Sequence, residues 1–260
     1  MVVQRKKDVA LGVLRGAGSV VVALSGGVDS AVLLALAIEA LGRDRVLAVT
    51  GRSPAVPGDD IDDARTVARS LGARHEVIET REIDSPAYRE NAGDRCYHCR
   101  SELFDLIRTV ASERGFRAIA YGAIPEDAGD FRPGMAAADE RGVLAPLLAA
   151  GLGKPDVRAL AAEYGLTVRD KPAAACLASR IPVGTEVTPA RLAQVATAEK
   201  SLKEMGFRSV RVRHHGEVAR IELDPDGDRR REARATRIRV AEAVKAAGFR
   251  FVALDLEGYR

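Results

Sequence analysis

The chain has 260 residues, 47% of them hydrophobic and 4% aromatic, with 40 Lys and Arg against 37 Asp and Glu. That length admits one large α/β domain and a smaller one. A net charge of +3 and the absence of Trp supply neither the field nor the stacking surface of a nucleic-acid binder. Three cysteines are too sparse and too odd a set for a disulfide framework.

The opening MVVQRKKDVALGVLRGAG is charged and amphipathic, and AGSVVVAL is too short for a membrane span or signal core, so a cytoplasmic protein is expected. Strand and helix then alternate. Residues 19–24 are a buried-strand run, followed by a glycine turn and an apolar helix over 30–41. Residues 46–51 form the second strand, and 59–71 a helix opened by acidic residues. A strand at 75–79, a helix at 101–114 and a strand at 118–122 complete the half. The pattern predicts an α/β fold with a doubly wound parallel sheet.

A Gly-, Pro- and Asp-rich loop over 123–141 follows, then a helix over 156–164 with Pro155 as its first residue. Residues 171–185 lack periodicity and read as a long functional loop. Beyond Thr188, a helix to Met205, strands at 210–214 and Val218–Leu223, a basic helix at 229–247 and a strand at Phe251–Leu254 make an α+β unit. The expected domains are 1–185 and 186–260.

ALSGGVDSAVLLALA, residues 23–37, ends a buried strand in two glycines and opens a helix at Ser30. Backbone N–H groups and the positive helix end then converge on one point, an anion site. Gly26 and Gly27 permit positive φ and close ligand approach, Ser25 and Ser30 add hydroxyls, and Asp29 can position Mg²⁺ or cap the helix. Neither GxxxxGK[ST] nor GxGxxG is present. SGGVDS resembles the pyrophosphatase loop of the PP-loop ATP-binding superfamily. That resemblance implies an adenine nucleotide α-hydrolase-like domain, which splits ATP between its α and β phosphates and adenylates a substrate.

Cys96-x-x-Cys99 and Cys176 can serve as thiolate ligands. Zinc would need a fourth ligand, drawn from His75, His214 or His215; His98 points the wrong way. An iron–sulfur cluster on three cysteines leaves one iron open. A redox CxxC leaves Cys176 unexplained, and three inert buried thiols are the bland alternative. Cys176 lies between Lys171 and Arg180, where positive charge favours a thiolate.

KPAAACLASRIPVGTEVT is similar to the segment of the ATP-dependent sacrificial sulfur transferase (LarE) family that carries a sulfur-donating cysteine, which falls on Cys176. RCYHC…ELF, GDFRPGMAAADE and RVRHHGEVARIEL resemble further segments, so the similarity runs from about residue 4 to 255. The resemblance implies adenylation of a carboxylate of pyridinium-3,5-biscarboxylic acid mononucleotide and insertion of sulfur, on the way to the nickel-pincer cofactor of lactate racemase. One-cysteine members give up the cysteine sulfur. Three-cysteine members hold a [4Fe-4S] cluster carrying an extra sulfide, and Cys96, Cys99 and Cys176 match these. ATP, Mg²⁺, a sulfide or persulfide donor and a homo-oligomer such as a hexamer are implied partners.

Acyl transfer also needs positive groups on the phosphate, which Arg180 and Lys171 could supply. The family's GTNxDD loop reads here Gly122-Ala-Ile-Pro-Glu-Asp127, while Asp127, Asp130 and Arg132 stand where that pattern has them. Arg211 and Arg213 share one face of a strand. By resemblance they bind phosphate, and Glu199 and Glu222 bind metal. His214 and His215 read as strand-end surface residues, and Arg230, Arg234 and Arg237 as a solvated or phosphate-binding stripe. Competing functions are tRNA thiolation, which the modest charge and missing zinc knuckles oppose, and an NAD- or GMP-synthetase-like amidotransferase module, which would have no need of the cysteines.

Overall fold

The computed structural model describes residues 2–127, 133–172, 175–224 and 234–259. Four strands, β1 (Val20–Ala23), β2 (Val46–Arg52), β3 (Arg74–Glu79) and β4 (Ala118–Tyr121), form one sheet in the order β3-β2-β1-β4. All neighbours are parallel; Val20 of β1 stands level with Val46 of β2 and with Ala118 of β4. The Val-rich β1 run is fully buried at Val20, Val21 and Val22, as a strand covered on both faces must be. The outer edge of β4 is covered: Leu144 donates to Ile119 O at 2.8 Å and accepts from Tyr121 N at 2.9 Å. The expected doubly wound α/β sheet is therefore present.

Helices α1 (Val2–Ala17), α2 (Val28–Leu41), α3 (Gly58–Leu71) and α5 (Arg95–Arg114) connect or flank these strands, with a short α4 (Pro86–Glu90) before α5. α2 is apolar all round, burying nine residues from Val28 to Ala37, because other helices cover it as well as the sheet. Lys7 of α1 is a polar bolt in that packing. It pairs with Glu39 of α2 at 3.0 Å and Glu163 at 2.8 Å, and stands over the Tyr164 ring. Burial alone would lower its pKa, but those partners raise it. Burial and Glu39 push the Tyr164 hydroxyl up to about 12.

Two expected boundaries differ. α5 starts at Arg95, not at 101, so the CxxC pair lies in the helix rather than ahead of it. The expected loop 123–141 contains a 3-10 turn, Pro125–Asp127, and a helix α6, Pro133–Glu140, because Pro133 starts a helix as readily as it ends a strand. Helices α7 (Pro146–Ala149) and α8 (Lys154–Glu163) follow.

The chain forms two compact units, Met1–Asp84 with Asp94–Ala174, and Ser85–Gly93 with Ala175–Arg260. The second unit thus begins at 175, where the sequence suggests about 186, and recruits a segment from the first half. Asn91 explains the recruitment. Its φ of 56° lets the chain turn, and its buried side-chain amide donates to Pro182 O at 2.7 Å and Thr185 O at 3.0 Å.

Within the second unit, α9 (Pro189–Glu204) is capped by Thr188, whose hydroxyl accepts from Arg191 N. Leu192, Val195, Ala198 and Leu202 form its buried stripe. Strands β5 (Val210–His215), β6 (Val218–Leu223) and β7 (Phe251–Leu254) make a sheet in that order, β5 antiparallel and β7 parallel to β6, with α10 (Arg234–Ala246) between β6 and β7. His214 is not a surface residue: strand alternation puts it on the buried face with Val210 and Val212, edge-on to Phe249.

Candidate active site

The strand order reverses between β1 and β4, and at such a point the carboxyl ends of adjacent strands leave a crevice. Residues 25–30 leave β1 there. Leu24 N donates to Val49 O at 2.8 Å, and the Thr50 hydroxyl donates to Leu24 O at 2.7 Å, so the strand end is pinned before the loop begins. With its one proton so used, Thr50 accepts from His75 Nε2 at 2.8 Å, which puts a proton on Nε2. Burial, then the charge of Arg65, lower the His75 pKa.

The loop closes on itself by hydroxyls. Ser30 donates to Gly27 O at 3.1 Å and accepts from Ser25 N at 3.1 Å. Ser25 Oγ lies 3.0 Å from Ser30 Oγ and accepts from Gly27 N at 3.4 Å. Ser30 is buried and braces; Ser25 is exposed. The first N–H groups of α2 have no partner within the helix and point out of this turn, which is the geometry of an anion cradle.

The two glycines differ. Gly26 has φ +76°, and a Cβ there would lie 2.1 Å from Asp60 O. Gly27, the residue before α2, has φ −91°, and a Cβ would find only Ser25 Oγ at 3.5 Å. Positive φ is thus needed at Gly26 alone, and Gly27 leaves open space for a ligand. Gly122, just after β4, packs directly on the loop: a Cβ there would lie 2.8 Å from Ser30 N.

Asp29 does not cap α2; Lys154 holds both its oxygens at 2.8 and 2.7 Å. Lys154, on the first turn of α8, is a site residue that the sequence reading missed. Its only local signal is Lys-Pro at a helix start, and its partner lies 125 residues away. Lys171 Nζ donates to Gly26 O at 3.1 Å, Asp60 at 2.7 Å and Asp63 at 2.6 Å. An ammonium has three donors, so all are engaged and Lys171 braces the loop from behind rather than presenting itself to phosphate. Burial lowers its pKa, and the two aspartates outweigh that, so the net shift is upward. Asp127 Oδ2 accepts from Ile124 N at 3.2 Å inside its own turn. Asp130, Arg132 and Arg230 lie outside the described residues.

Cys96 and Cys99 stand one turn apart at the start of α5, and none of the three cysteines forms a disulfide. His98 Nε2 lies 3.2 Å from Asp94 Oδ2. Cys96 and Cys99 belong to the first unit and Cys176 to the second. Among the described residues no three His, Cys, Asp or Glu stand together as a metal group.

Cys176 precedes a 3-10 turn, Leu177–Arg180, which opens with Ser179 N donating to Cys176 O at 2.9 Å. Arg180 is buried. Its Nε and Nη2 donate to Glu199 at 2.8 and 3.2 Å, and Nη1 donates to Ala175 O at 2.6 Å and Cys176 O at 3.2 Å. Glu199 also accepts from Val212 N at 2.9 Å. Arg213 grips Glu222 at 2.8 and 3.1 Å, and its Nη1 donates to Ser179 O at 2.9 Å. Arg220 adds a contact to Glu222 at 3.0 Å. Both carboxylates therefore have guanidinium partners, an arrangement different from the metal-binding role that resemblance suggests. Arg211, on the same strand face as Arg213, lies over the Tyr259 ring at 4.2 Å.

A family model described as NAD synthase matches residues 8–111. The chain is 38% identical over 255 residues to the pyridinium-3,5-bisthiocarboxylic acid mononucleotide synthase of Lactiplantibacillus plantarum, covering 98% of this chain and 92% of that protein. An uncharacterised protein of Synechocystis sp. is 38% identical over 239 residues, 92% of this chain and 89% of its own. A tRNA-specific 2-thiouridylase of Xanthobacter autotrophicus is 35% identical over 195 residues, 59% of this chain and 49% of that enzyme. No helix among the described residues is long and apolar enough to cross a membrane.

Proposed function

The chain belongs to the family of the pyridinium-3,5-bisthiocarboxylic acid mononucleotide synthases, ATP-dependent sulfur transferases with a PP-loop domain, and on that premise we propose that it converts the carboxylates of pyridinium-3,5-biscarboxylic acid mononucleotide to thiocarboxylates. The observation that carries this reading is the self-braced loop of Ser25, Gly26, Gly27 and Ser30, in a chain that also carries Cys176 on a turn held by the buried Arg180 and the half-buried Arg213.

In the first step a substrate carboxylate oxygen attacks the α-phosphorus of ATP. The bond from that phosphorus to the bridging oxygen breaks, and pyrophosphate departs with the electron pair. The N–H groups at the start of α2 and the Ser25 hydroxyl hold the departing charge. Asp29 would hold the Mg²⁺ that accompanies ATP, and Lys154, already at that carboxylate, is the cation placed to follow the phosphates. In the second step sulfur attacks the activated acyl carbon, the bond to the adenylate oxygen breaks, and AMP leaves.

The donor chemistry of Cys96 and Cys99, two thiols one helical turn apart, suits iron, and with Cys176 they would hold a [4Fe-4S] cluster. When bound, that group supplies the sulfur for transfer. Without it, Cys176 Sγ forms the thioester itself; loss of the Cys176 α-proton then breaks the Cβ–Sγ bond, the thiocarboxylate leaves with the electron pair, and dehydroalanine remains. Arg211 and Arg213 are the candidate contacts to the phosphate of the mononucleotide. A cytoplasmic setting and a homo-oligomer accompany this reading.

Wild type should release pyrophosphate and AMP only with the carboxylate substrate and form thiocarboxylate, whereas Cys176→Ala should adenylate without forming it. Thiocarboxylate made at the wild-type rate by Cys176→Ala would overturn the role of the thiol. Anaerobic purification separates the two sulfur sources: about four iron atoms per chain point to the cluster, and substoichiometric iron to a single-use cysteine. A salt-sensitive shift of tRNA in a gel would favour base thiolation instead.

A further inference from the structure

The two guanidiniums beside Cys176 are used alike. In each, Nε and Nη2 grip both oxygens of one carboxylate, and Nη1 turns to carbonyls of the cysteine turn. Arg180 reaches Ala175 O and Cys176 O, while Arg213 reaches Ser179 O. The side chains of Glu199 and Glu222 are 7% and 2% exposed, so neither carboxylate is available to a solvated cation without breaking its guanidinium fork. Arg180 adds a bond to Ser179 Oγ at 3.0 Å, which commits at least four of its five N–H donors within the turn and Glu199. No donor pair is left to fork onto a phosphate.

We infer that Arg180, anchored by Glu199, is a positioning residue for Cys176, and that it governs the sulfur step while leaving adenylation alone; Arg213 on Glu222 is the second arm of the same splint. The inference rests on the sulfur-transferase reading for its consequence, but its physical content is the rigidity of one turn. A single 3-10 turn relies on fixed carbonyls to hold its shape, and two carbonyls joined to one guanidinium cannot rotate independently. A misplaced nucleophile is costly to a group transfer, by about a hundredfold for an ångström. Glu199 extends the hold to β5 through Val212 N, so the turn is tied to α9 and to the sheet.

The test compares Arg180→Lys with the double variant R180M/E199L, which removes both buried charges together and so avoids the cost of an unpaired buried charge. Substrate-dependent ATP–pyrophosphate exchange should stay within about twofold of wild type in both, while single-turnover thiocarboxylate formation falls about a hundredfold. Peptide-resolved alkylation of Cys176 by iodoacetamide in the full chain should speed up about tenfold as the turn loosens. Arg213→Lys, at a residue that the proposed function also sets on the substrate phosphate, is read by alkylation alone and should speed it more weakly. Exchange falling in step with sulfur transfer would make Arg180 a phosphate contact and overturn the inference. So would Cys176 alkylation unchanged in both Arg180 variants. Wild type that forms no thiocarboxylate would sink the proposed function instead, and the alkylation rates would still decide the role of Arg180.

Discussion

The loop after β1 holds its shape with residues five positions apart, Ser25 and Ser30, and with glycines that let two neighbouring elements press against it. The turn at Cys176 holds its shape with Glu199 on a helix and Glu222 on a strand, acting through arginines. Even the cation of the first loop follows this division: Lys171 supports Gly26 O from outside, as Arg180 supports Cys176 O. Both were expected on phosphate, and both are instead occupied with carbonyls of the chemical loops. A positive residue next to a reactive motif therefore has two possible tasks, and the number of carboxylates around it tells them apart.

Breaking the outside support should do the most damage. Glu199→Ala leaves Arg180 buried without its counter-charge and should lower stability by about 3–5 kcal/mol in urea unfolding. An effect below 1 kcal/mol would mean that the pair is already solvated. Next comes the close approach in the first loop. Gly26→Ala combines a left-handed φ with a Cβ 2.1 Å from Asp60 O and should cost about 2–4 kcal/mol. Gly27→Ala sharpens the contrast. It should move stability by less than about 0.5 kcal/mol, because its Cβ meets nothing closer than 3.5 Å. Yet ATP-dependent pyrophosphate release should drop sharply, because the methyl fills space meant for a ligand. Equal losses of stability at both positions would erase the distinction.

The smallest effect concerns pH. Burial, then the charge of Arg191, hold the His214 pKa below its ordinary value of 6.5. His75 in the first unit is lowered by burial and Arg65. The folded state therefore binds fewer protons than the unfolded chain. The stabilising contribution is complete above the ordinary histidine value and is lost as pH falls below it towards the folded pKa. Urea midpoints measured from neutral pH down through the mildly acid range should decline, and His214→Phe should flatten part of that decline. A midpoint rising on acidification would contradict the buried neutral imidazoles.

The parallel sheet was legible because buried strands and long helices alternate in plain composition, and the anion loop because SGGVDS is contiguous. The start of α5 was misplaced because Arg95, Cys96 and His98 carry no strong helical signal of their own; Asp94 before them accepts from Tyr97 N through its backbone rather than capping with its side chain. The helix Pro133–Glu140 was hidden by its Gly- and Pro-rich surroundings. A strand-end position suggests exposure for His214, but the alternation Val210, Val212, His214 puts it inside.

The order of residues by itself determined which segments become strands, where the chain turns tightly at Gly26, and which thiols and hydroxyls stand as candidates for the chemistry. Those are local properties, set by backbone sterics and by the period of side-chain burial. Only the tertiary structure decided what each charge does: that Lys154 meets Asp29, that Lys171 holds Gly26, and that Arg180 and Arg213 grip the turn of Cys176. A long cationic side chain reaches whichever carboxylate or carbonyl folding brings near, over separations of 125 and 145 residues in the first two cases, and no local pattern encodes that choice.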